Sequence, residues 1–157
     1  MSEMEEFFTW DASEEIDAPI EYNTEDIEFT LTDANRITNW ITTVIAAEGK
    51  VLQHISYIFC SDDYLLDLNQ QYLDHDTLTD IITFQYSKLP DIEGDIFISI
   101  DRVKENAHTF GVTFEEELRR VIIHGVLHLC GYGDKTSLDK ARMTEKENEA
   151  LQMWHLP

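Results

Sequence analysis

The chain of 157 residues has few cations, few cysteines and no long apolar run. Only 11 lysines and arginines accompany 32 acidic residues, and the formal net charge of −21 argues against a surface that attracts free nucleic acid over its whole area. No run approaches the roughly 18 apolar residues of a membrane span, and the start MSEMEEFFTWD has neither a cationic nor an apolar leader segment. We therefore expect a soluble cytoplasmic protein with no membrane partner.

Cysteine, proline and glycine are also scarce. Cys60 and Cys130 are the only cysteines, and each lies in an apolar segment without a CxxC spacing. This pattern favours two buried free thiols over a disulfide. No linker rich in proline or glycine and no repeat interrupts the chain, so we expect one folded domain. We expect no nucleotide cofactor.

The residues that are present indicate a globular protein with an acidic beginning. Hydrophobic residues make up 43% of the chain and aromatic residues 11%, which is typical of a folded domain. Residues 1–25 are dense in glutamate and aspartate and have no clear periodicity. We therefore predict an acidic N-terminal extension over 1–25 and a single folded domain over 26–157.

Strand and helix signals follow the order βαβαββ and then helices only. A helix is predicted to begin at Asp33 and end at Gly49, with one apolar face: Ile37, Trp40, Ile41, Val44 and Ile45. Asp101 is predicted to cap a later helix that ends at Gly111, and Thr113 with Glu116 forms a capping box for the next one. The predicted strands cover 27–31, 52–59, 79–86 and 94–100, and the short connection between the last two favours an antiparallel pair. The fold class is therefore α+β, with a small mixed four-stranded sheet and helices packed on it.

The segment HGVLHLCGYGD, residues 124–134, sets two histidines four residues apart in an otherwise uncharged stretch of helix. A step of four residues rotates by about 40° around the helix axis, so His124 and His128 share one face. One metal ion would satisfy both imidazoles; the alternative is a pair of core histidines bonded to backbone or carboxylate groups. The zincin pattern H-E-x-x-H has the same spacing, but Gly125 replaces the glutamate that serves as its base.

A third ligand is needed, because catalytic zinc usually has three protein ligands and one open position. Gly131 can end the helix in a left-handed conformation and turn the chain back, which makes Asp134 the first strong ligand available. The alternative for Asp134 is a capping role ahead of a helix that begins near Ser137. Because two histidines and a carboxylate suit zinc and also manganese, we predict one Zn²⁺ per chain on His124, His128 and Asp134, with Mn²⁺ as an alternative.

Three blocks of the chain, LNQQYLDHDTLTDIITF (68–84), GDIFIS (94–99) and HGVLHLCGYGD, resemble the YbeY family of bacterial rRNA maturation factors. The resemblance covers roughly residues 30–150 and implies a metal-dependent single-strand endoribonuclease. The family's usual motif is HGxLHLxGYDH, with a third histidine at the position of Asp134 and an aspartate at that of Gly133. His124 and His128 carry over directly as metal ligands, whereas Asp134 carries over by position only.

The resemblance also implies a catalytic role for Asp80, which matches the T-D/N position at the start of a strand. A carboxylate there could act as a base or orient water beside the metal, so we predict His124 and Asp80 as catalytic residues; the alternative is an aspartate that holds a turn. The family commonly has an arginine, suited to a phosphate contact, where Leu73 stands. Arg119, Arg120 or a lysine of the C-terminal region would have to supply that contact.

Charge is unevenly distributed along the chain. Residues 1–28 hold 11 acidic and no basic residues, whereas residues 102–157 hold nine acidic and eight basic ones. Free RNA should therefore be repelled except near the C-terminal helices. The resemblance implies a role in rRNA maturation at the 16S rRNA 3′ end and in ribosome assembly, with rRNA or the small-subunit precursor as partner, and the acidic surface suits a basic ribosomal protein as a further partner. The alternatives are a metal-containing assembly factor without cleavage activity and a metal-dependent hydrolase of another substrate.

Overall fold

The computed structural model describes residues 18–73 and 78–157. Its four strands and five helices are β1 Ile20–Thr24, α1 Ala34–Ala47, β2 Val51–Cys60, α2 Asp62–Leu73, β3 Ile81–Gln85, β4 Asp91–Ser99, α3 Ile100–Phe110, α4 Phe114–Leu129 and α5 Ser137–Trp154. None of these helices combines the length and the apolar character needed to cross a membrane.

The strands form one mixed sheet in the order β1, β2, β4, β3. β2 runs parallel to both β1 and β4, and β3 runs antiparallel to β4. The predicted α+β fold with a small four-stranded mixed sheet is therefore confirmed, and so is the antiparallel pairing of the last two strands. This pairing follows from the short connection between them, since parallel neighbours need a long crossover.

Both faces of the sheet carry helices. Helices α1 and α4 cover one face of the sheet, and α5 packs on these two helices. Alternate residues of the two central strands are buried on this face: Ile55, Tyr57, Phe59, Ile92, Ile96 and Ile98. Helix α1 contributes the same five residues that its sequence period places on one face: Ile37, Trp40, Ile41, Val44 and Ile45. Each such side chain stabilises the fold by about 1.5–3 kcal/mol when fully buried. On the opposite face, α2 packs Leu65 and Leu68 near Ile82 and Phe97.

The predicted first strand is wrong, because residues 27–31 form no strand and β1 lies at Ile20–Thr24. The chain leaves the sheet at Asp26, whose φ is 56° and whose carboxylate accepts hydrogen bonds from the backbone N and the hydroxyl of Ser61 at 3.1 and 2.6 Å. Phe29 and its apolar neighbours then pack on the core as irregular chain. Residues 1–17 lie outside the described residues, and the boundary of the acidic extension at residue 25 stays a prediction, although β1 already belongs to the sheet.

The predicted ends of α1 are confirmed, since Asp33 is its N-cap and Gly49, with φ 72°, follows its C-cap. Of the later helix ends, two predictions are confirmed and one is wrong. Gly111, with φ 70°, ends α3, and Thr113 with Glu116 forms the predicted capping box of α4. The prediction that Asp101 caps α3 is wrong: Ser99 is the N-cap, and its hydroxyl accepts from the backbone N of Arg102. The carboxylate of Asp101 instead accepts from the backbone N of Asp62 at 3.0 Å and so caps the first turn of α2.

Candidate metal centre

Helix α4 positions the two histidines because the rest of its surface is committed to the core. Buried residues occupy most of its length: Leu118, Val121, Ile122, Ile123, Gly125, Val126, Leu127 and Leu129. His124 and His128 lie on the remaining partly exposed stripe, and their ring centroids are 4.6 Å apart. A pair with this spacing and access to solvent suits a ligand site better than a buried structural pair.

Close packing against the sheet explains why residue 125, which follows His124, is a glycine and not a glutamate base. A Cβ atom at Gly125 would lie 2.9 Å from Cγ2 of Ile96 and 3.0 Å from Cδ1 of Ile81. Helix α4 approaches the sheet closely here, so this position faces the sheet and not the imidazoles. The glutamate of the zincin pattern has no room in this fold.

Three potential ligand atoms converge beside α4. Oδ2 of Asp134 lies 3.2 Å from Nε2 of His128 and 3.5 Å from Nε2 of His124. Ligand atoms of these residues all lie within 4.8 Å of one another, and no other group of three in the described ranges meets this condition. Two ligands that are each about 2.0 Å from a tetrahedral zinc ion are about 3.3 Å apart, so the separations fit a metal shell.

The other ring nitrogens are already occupied, which determines what the converging atoms can do. Nδ1 of His124 lies 2.6 Å from a carboxylate oxygen of Glu147, and Nδ1 of His128 lies 2.9 Å from the carbonyl oxygen of Tyr132. A carbonyl oxygen and an ionised carboxylate can only accept, and the lowered pKa of Glu147 keeps its carboxylate ionised, so each Nδ1 carries the hydrogen. In the neutral rings both Nε2 atoms are then acceptors that face a third acceptor, Asp134, and a cation between them relieves the repulsion.

The turn after α4 brings Asp134 back across the helix end. Gly131 adopts φ 110°, as predicted for the residue that ends the helix. The hydroxyl of Tyr132 donates to Glu48 at 2.7 Å, and Lys146 donates to the same carboxylate at 3.1 Å, so this turn is tied to α1 and α5. Thr136, not Asp134, caps α5, which removes the capping alternative.

The electrostatics of the site centre on Glu147 of α5, which sequence reasoning missed. Burial would lower the pKa of His124, but the hydrogen bond and the charge of Glu147 raise it above its ordinary value, with smaller contributions from Asp134 and Asp80. Burial opposes ionisation of Glu147, whereas His124 and Arg120 lower its pKa below the ordinary range. The only sequence signal for this contact is a glutamate on a helix 23 residues after His124, and many glutamates share that property.

Asp80 directly precedes β3. Burial raises its pKa and the charge of His124 lowers it, with a net shift above the ordinary value. Nδ2 of Asn106 donates weakly to its carboxylate at 3.5 Å, and its carbonyl accepts from Ser99 at 3.0 Å. The carboxylate of Asp80 thus interacts electrostatically with His124, and its catalytic role stays a prediction.

The cations that were candidates for a phosphate contact are largely engaged. The guanidinium of Arg119 lies over the ring of Trp154, and Arg120 donates to Glu147 at 2.8 Å and to Asn148 at 2.9 Å. Leu73 ends α2 and is 44% exposed. Lys135 directly follows Asp134, is exposed, and makes no ion pair with any residue in the described ranges.

An α+β domain with a helix that carries two histidines and a turn that returns a carboxylate to them defines a candidate metal-dependent hydrolase. The sequence profile described as "Endoribonuclease YbeY" matches residues 19–155. The chain therefore belongs to the YbeY family, as its three motif blocks had indicated.

Individual relatives support this assignment over most of the chain. The chain is 54% identical to the endoribonuclease YbeY of Flavobacterium psychrophilum over 137 residues, which cover 87% of this chain and 97% of that protein. It is 48% identical to that of Bacteroides thetaiotaomicron over 134 residues, covering 85% and 98%. The solution structure of TM1509 from Thermotoga maritima superposes with a TM-score of 0.62 at 31% identity and covers 86% of this chain and 88% of that one.

Proposed function

We propose that this protein is a metal-dependent single-strand endoribonuclease that acts in rRNA maturation, including processing of the 16S rRNA 3′ end, and in ribosome assembly. Membership of the YbeY family supports the reaction class. The observation that carries the proposal is the convergence of Nε2 of His124, Nε2 of His128 and Oδ2 of Asp134, while both Nδ1 atoms donate elsewhere. Such a set of acceptors is built for a cation.

We propose one Zn²⁺ ion per chain as the cofactor, held by His124, His128 and Asp134, with Mn²⁺ as the alternative. The donor set of two imidazoles and one carboxylate is an ordinary zinc shell and leaves a position open for substrate. When bound, the cation would polarise the scissile phosphodiester and acidify a water nucleophile. Asp134 in place of a third neutral imidazole adds a negative charge, which favours harder cations than three histidines would.

The residues of the chain would divide the remaining work. Glu147 holds the His124 ring through Nδ1, and Arg120 holds Glu147, so the ligand enters the reaction already oriented. Asp80 is the proposed base or water-orienting group. Its raised pKa brings the carboxylate closer to the range in which general bases are effective.

The distribution of charge supports a ribosomal setting for the reaction. The protein has a formal net charge of −21, so most of its surface repels naked RNA. We propose that the small-subunit precursor presents the single strand and that a basic ribosomal protein contacts the acidic surface. Cleavage of naked RNA as efficient as that of precursor particles would contradict this arrangement.

The experiment that tests the function maps 16S rRNA 3′ ends in cells that carry the wild type, His124→Ala or the control His108→Ala. His108 is an exposed histidine of α3, on a different helix from the ligand set. We expect unprocessed 3′ ends with His124→Ala only, at equal protein abundance. Identical ends in all three strains would remove cleavage from the proposal.

One observation favours a second candidate, a metal-containing assembly factor that binds without cutting. Leu73 stands where the family commonly has arginine, and Arg119 and Arg120 are engaged elsewhere. Normal 16S rRNA ends combined with a defect in small-subunit assembly in the His124→Ala strain would support this candidate.

A further inference from the structure

A groove of about 350 Å³ lies at the N-terminal half of α4, between the end of α3 and the end of α5. Its lining combines an aromatic ring, Phe110, with two arginines, Arg119 and Arg120, and two carboxylates, the exposed Glu116 and the buried Glu117. None of the predicted metal ligands, His124, His128 and Asp134, lines this groove. The volume lies within the range of small-molecule sites.

Glu117 is the unusual member of this lining. It is only 6% exposed, and among residues 18–73 and 78–157 its side chain makes no hydrogen bond or ion pair. Burial and the charge of Asp80 raise its pKa, with Arg120 acting in the opposite direction. A buried carboxylate without donors is costly to the free protein, so a ligand that brings N–H groups to it regains that free energy.

The groove and the candidate metal centre lie along the same helix, α4. Glu117 precedes His124 by seven residues, which is close to two helical turns, so both side chains lie on one face about 10 Å apart along the axis. Arg120 forms part of the groove wall and donates to Glu147, which in turn holds His124. A single strand bound at the metal centre would therefore reach the groove within a few nucleotides.

The chemistry of the lining favours a base over a phosphate. Arg119 is stacked on Trp154 and Arg120 is paired with Glu147, so the cations are neutralised or shielded. Phe110 is 63% exposed beside the buried carboxylate. Splayed-out bases of single-stranded RNA stack on aromatic rings and are read through hydrogen bonds to their Watson–Crick edges.

We propose that this groove is a subsite for one unstacked base of the RNA strand, in which Phe110 stacks on the base and Glu117 accepts hydrogen bonds from its Watson–Crick edge. Guanine fits best, because its N1–H and its 2-amino group present two adjacent donors to the two carboxylate oxygens. The other three bases present only one donor group on that edge. The inference rests on the proposed function, since it takes RNA as the strand at the metal centre.

The test compares labelled heptamers of the form U3-G-U3 and U3-I-U3, where inosine lacks only the 2-amino group of guanosine. Fluorescence anisotropy measures the affinity of the full, zinc-loaded chain for each RNA. Gels run on the same samples verify that the RNA has not been cleaved. We expect guanosine to bind about tenfold more tightly than inosine in the wild type and in the control Glu145→Gln, an exposed glutamate of α5. In Glu117→Gln the difference should vanish, and Phe110→Ala should weaken both strands alike.

Equal affinity of the wild type for the guanosine and inosine strands would contradict the proposed subsite. This comparison uses the wild type alone, so it does not depend on the folding of any variant. A guanosine preference that survives in a folded Glu117→Gln variant would overturn the role of Glu117. A wild type that prefers guanosine but processes no rRNA would keep the subsite and reject the nuclease function. A wild type that processes rRNA but binds both strands with equal affinity would keep the nuclease function and reject the subsite.

Discussion

Nδ1 of His124 lies 2.6 Å from Oε2 of Glu147, and the other oxygen of that carboxylate accepts from Arg120 at 2.8 Å. The contact joins α4 to α5 and aims Nε2 of His124 at Asp134. Outer partners of metal-binding histidines fix the ring orientation and raise ligand basicity. The candidate metal centre is therefore a product of tertiary packing as well as of the His-x-x-x-His spacing.

Replacing Glu147 with glutamine should weaken zinc binding by about 10-fold to 100-fold. The amide keeps an acceptor for His124 but loses the charge and presents a donor to Arg120. Competition with a zinc chelator measures the change, with Glu145→Gln as a control on the exposed face of α5. Equal affinity in the wild type and Glu147→Gln would show that the contact does not support the ligand.

Replacing Leu73 with arginine should raise the rate of RNA cleavage. The side chain is 44% exposed at the end of α2, so the change tolerates a long cation and restores the residue common in the family. One added phosphate contact is expected to increase the apparent affinity for RNA and to steepen its loss with salt. Leu73→Gln controls for polarity; a gain as large with glutamine as with arginine would contradict a role for charge.

Replacing Gly125 with alanine should destabilise the fold by about 1–3 kcal/mol. The added methyl would lie about 3 Å from side chains of Ile96 and Ile81 on the sheet, so α4 or the sheet must shift. Thermal unfolding measures the effect as a loss of several degrees, against Thr144→Ala on the exposed face of α5, which should change stability by less than about 0.5 kcal/mol. Equal melting temperatures would mean that α4 is not held closely at this point.

The two thiols should resist modification in the native protein. Both cysteines are free and buried, as predicted. Burial raises the pKa of Cys60 to about 12 and that of Cys130 to about 11, so little thiolate is present at pH 8. Mass spectrometry after alkylation should find no adduct in the native state and two adducts in denaturant; rapid native alkylation would contradict the packing of both residues.

Local signals were sufficient for much of the fold. The buried face of α1, the capping box of Thr113 and the glycine at residue 111 depend on residues close together in the chain, and all three are confirmed. The position of the first strand depends on a distant partner. Ile20–Thr24 pairs with β2 more than thirty residues away, and Asp26 turns the chain out of the sheet through Ser61, so residues 27–31 cannot continue it.

In the candidate site, too, some features depend on local sequence and others on residues distant in the chain. His124, His128 and Asp134 lie within one segment, and spacing and turn residues are enough to bring them together. Glu147 lies on the following helix. Glu117 lies on α4 two turns before His124, and its charge interacts with that of Asp80, which is distant in sequence. Their roles depend on how helices pack, which no local pattern encodes.

Metal analysis of protein purified without added metal or chelator tests the central claim most directly. The wild type and His108→Ala should contain about one equivalent of zinc per chain, and His128→Ala and Asp134→Ala should contain almost none. Each variant is compared at equal folded fraction by circular dichroism. A wild type without metal, or an Asp134→Ala variant with a full equivalent, would contradict a centre built from two imidazoles of α4 and the carboxylate that follows it.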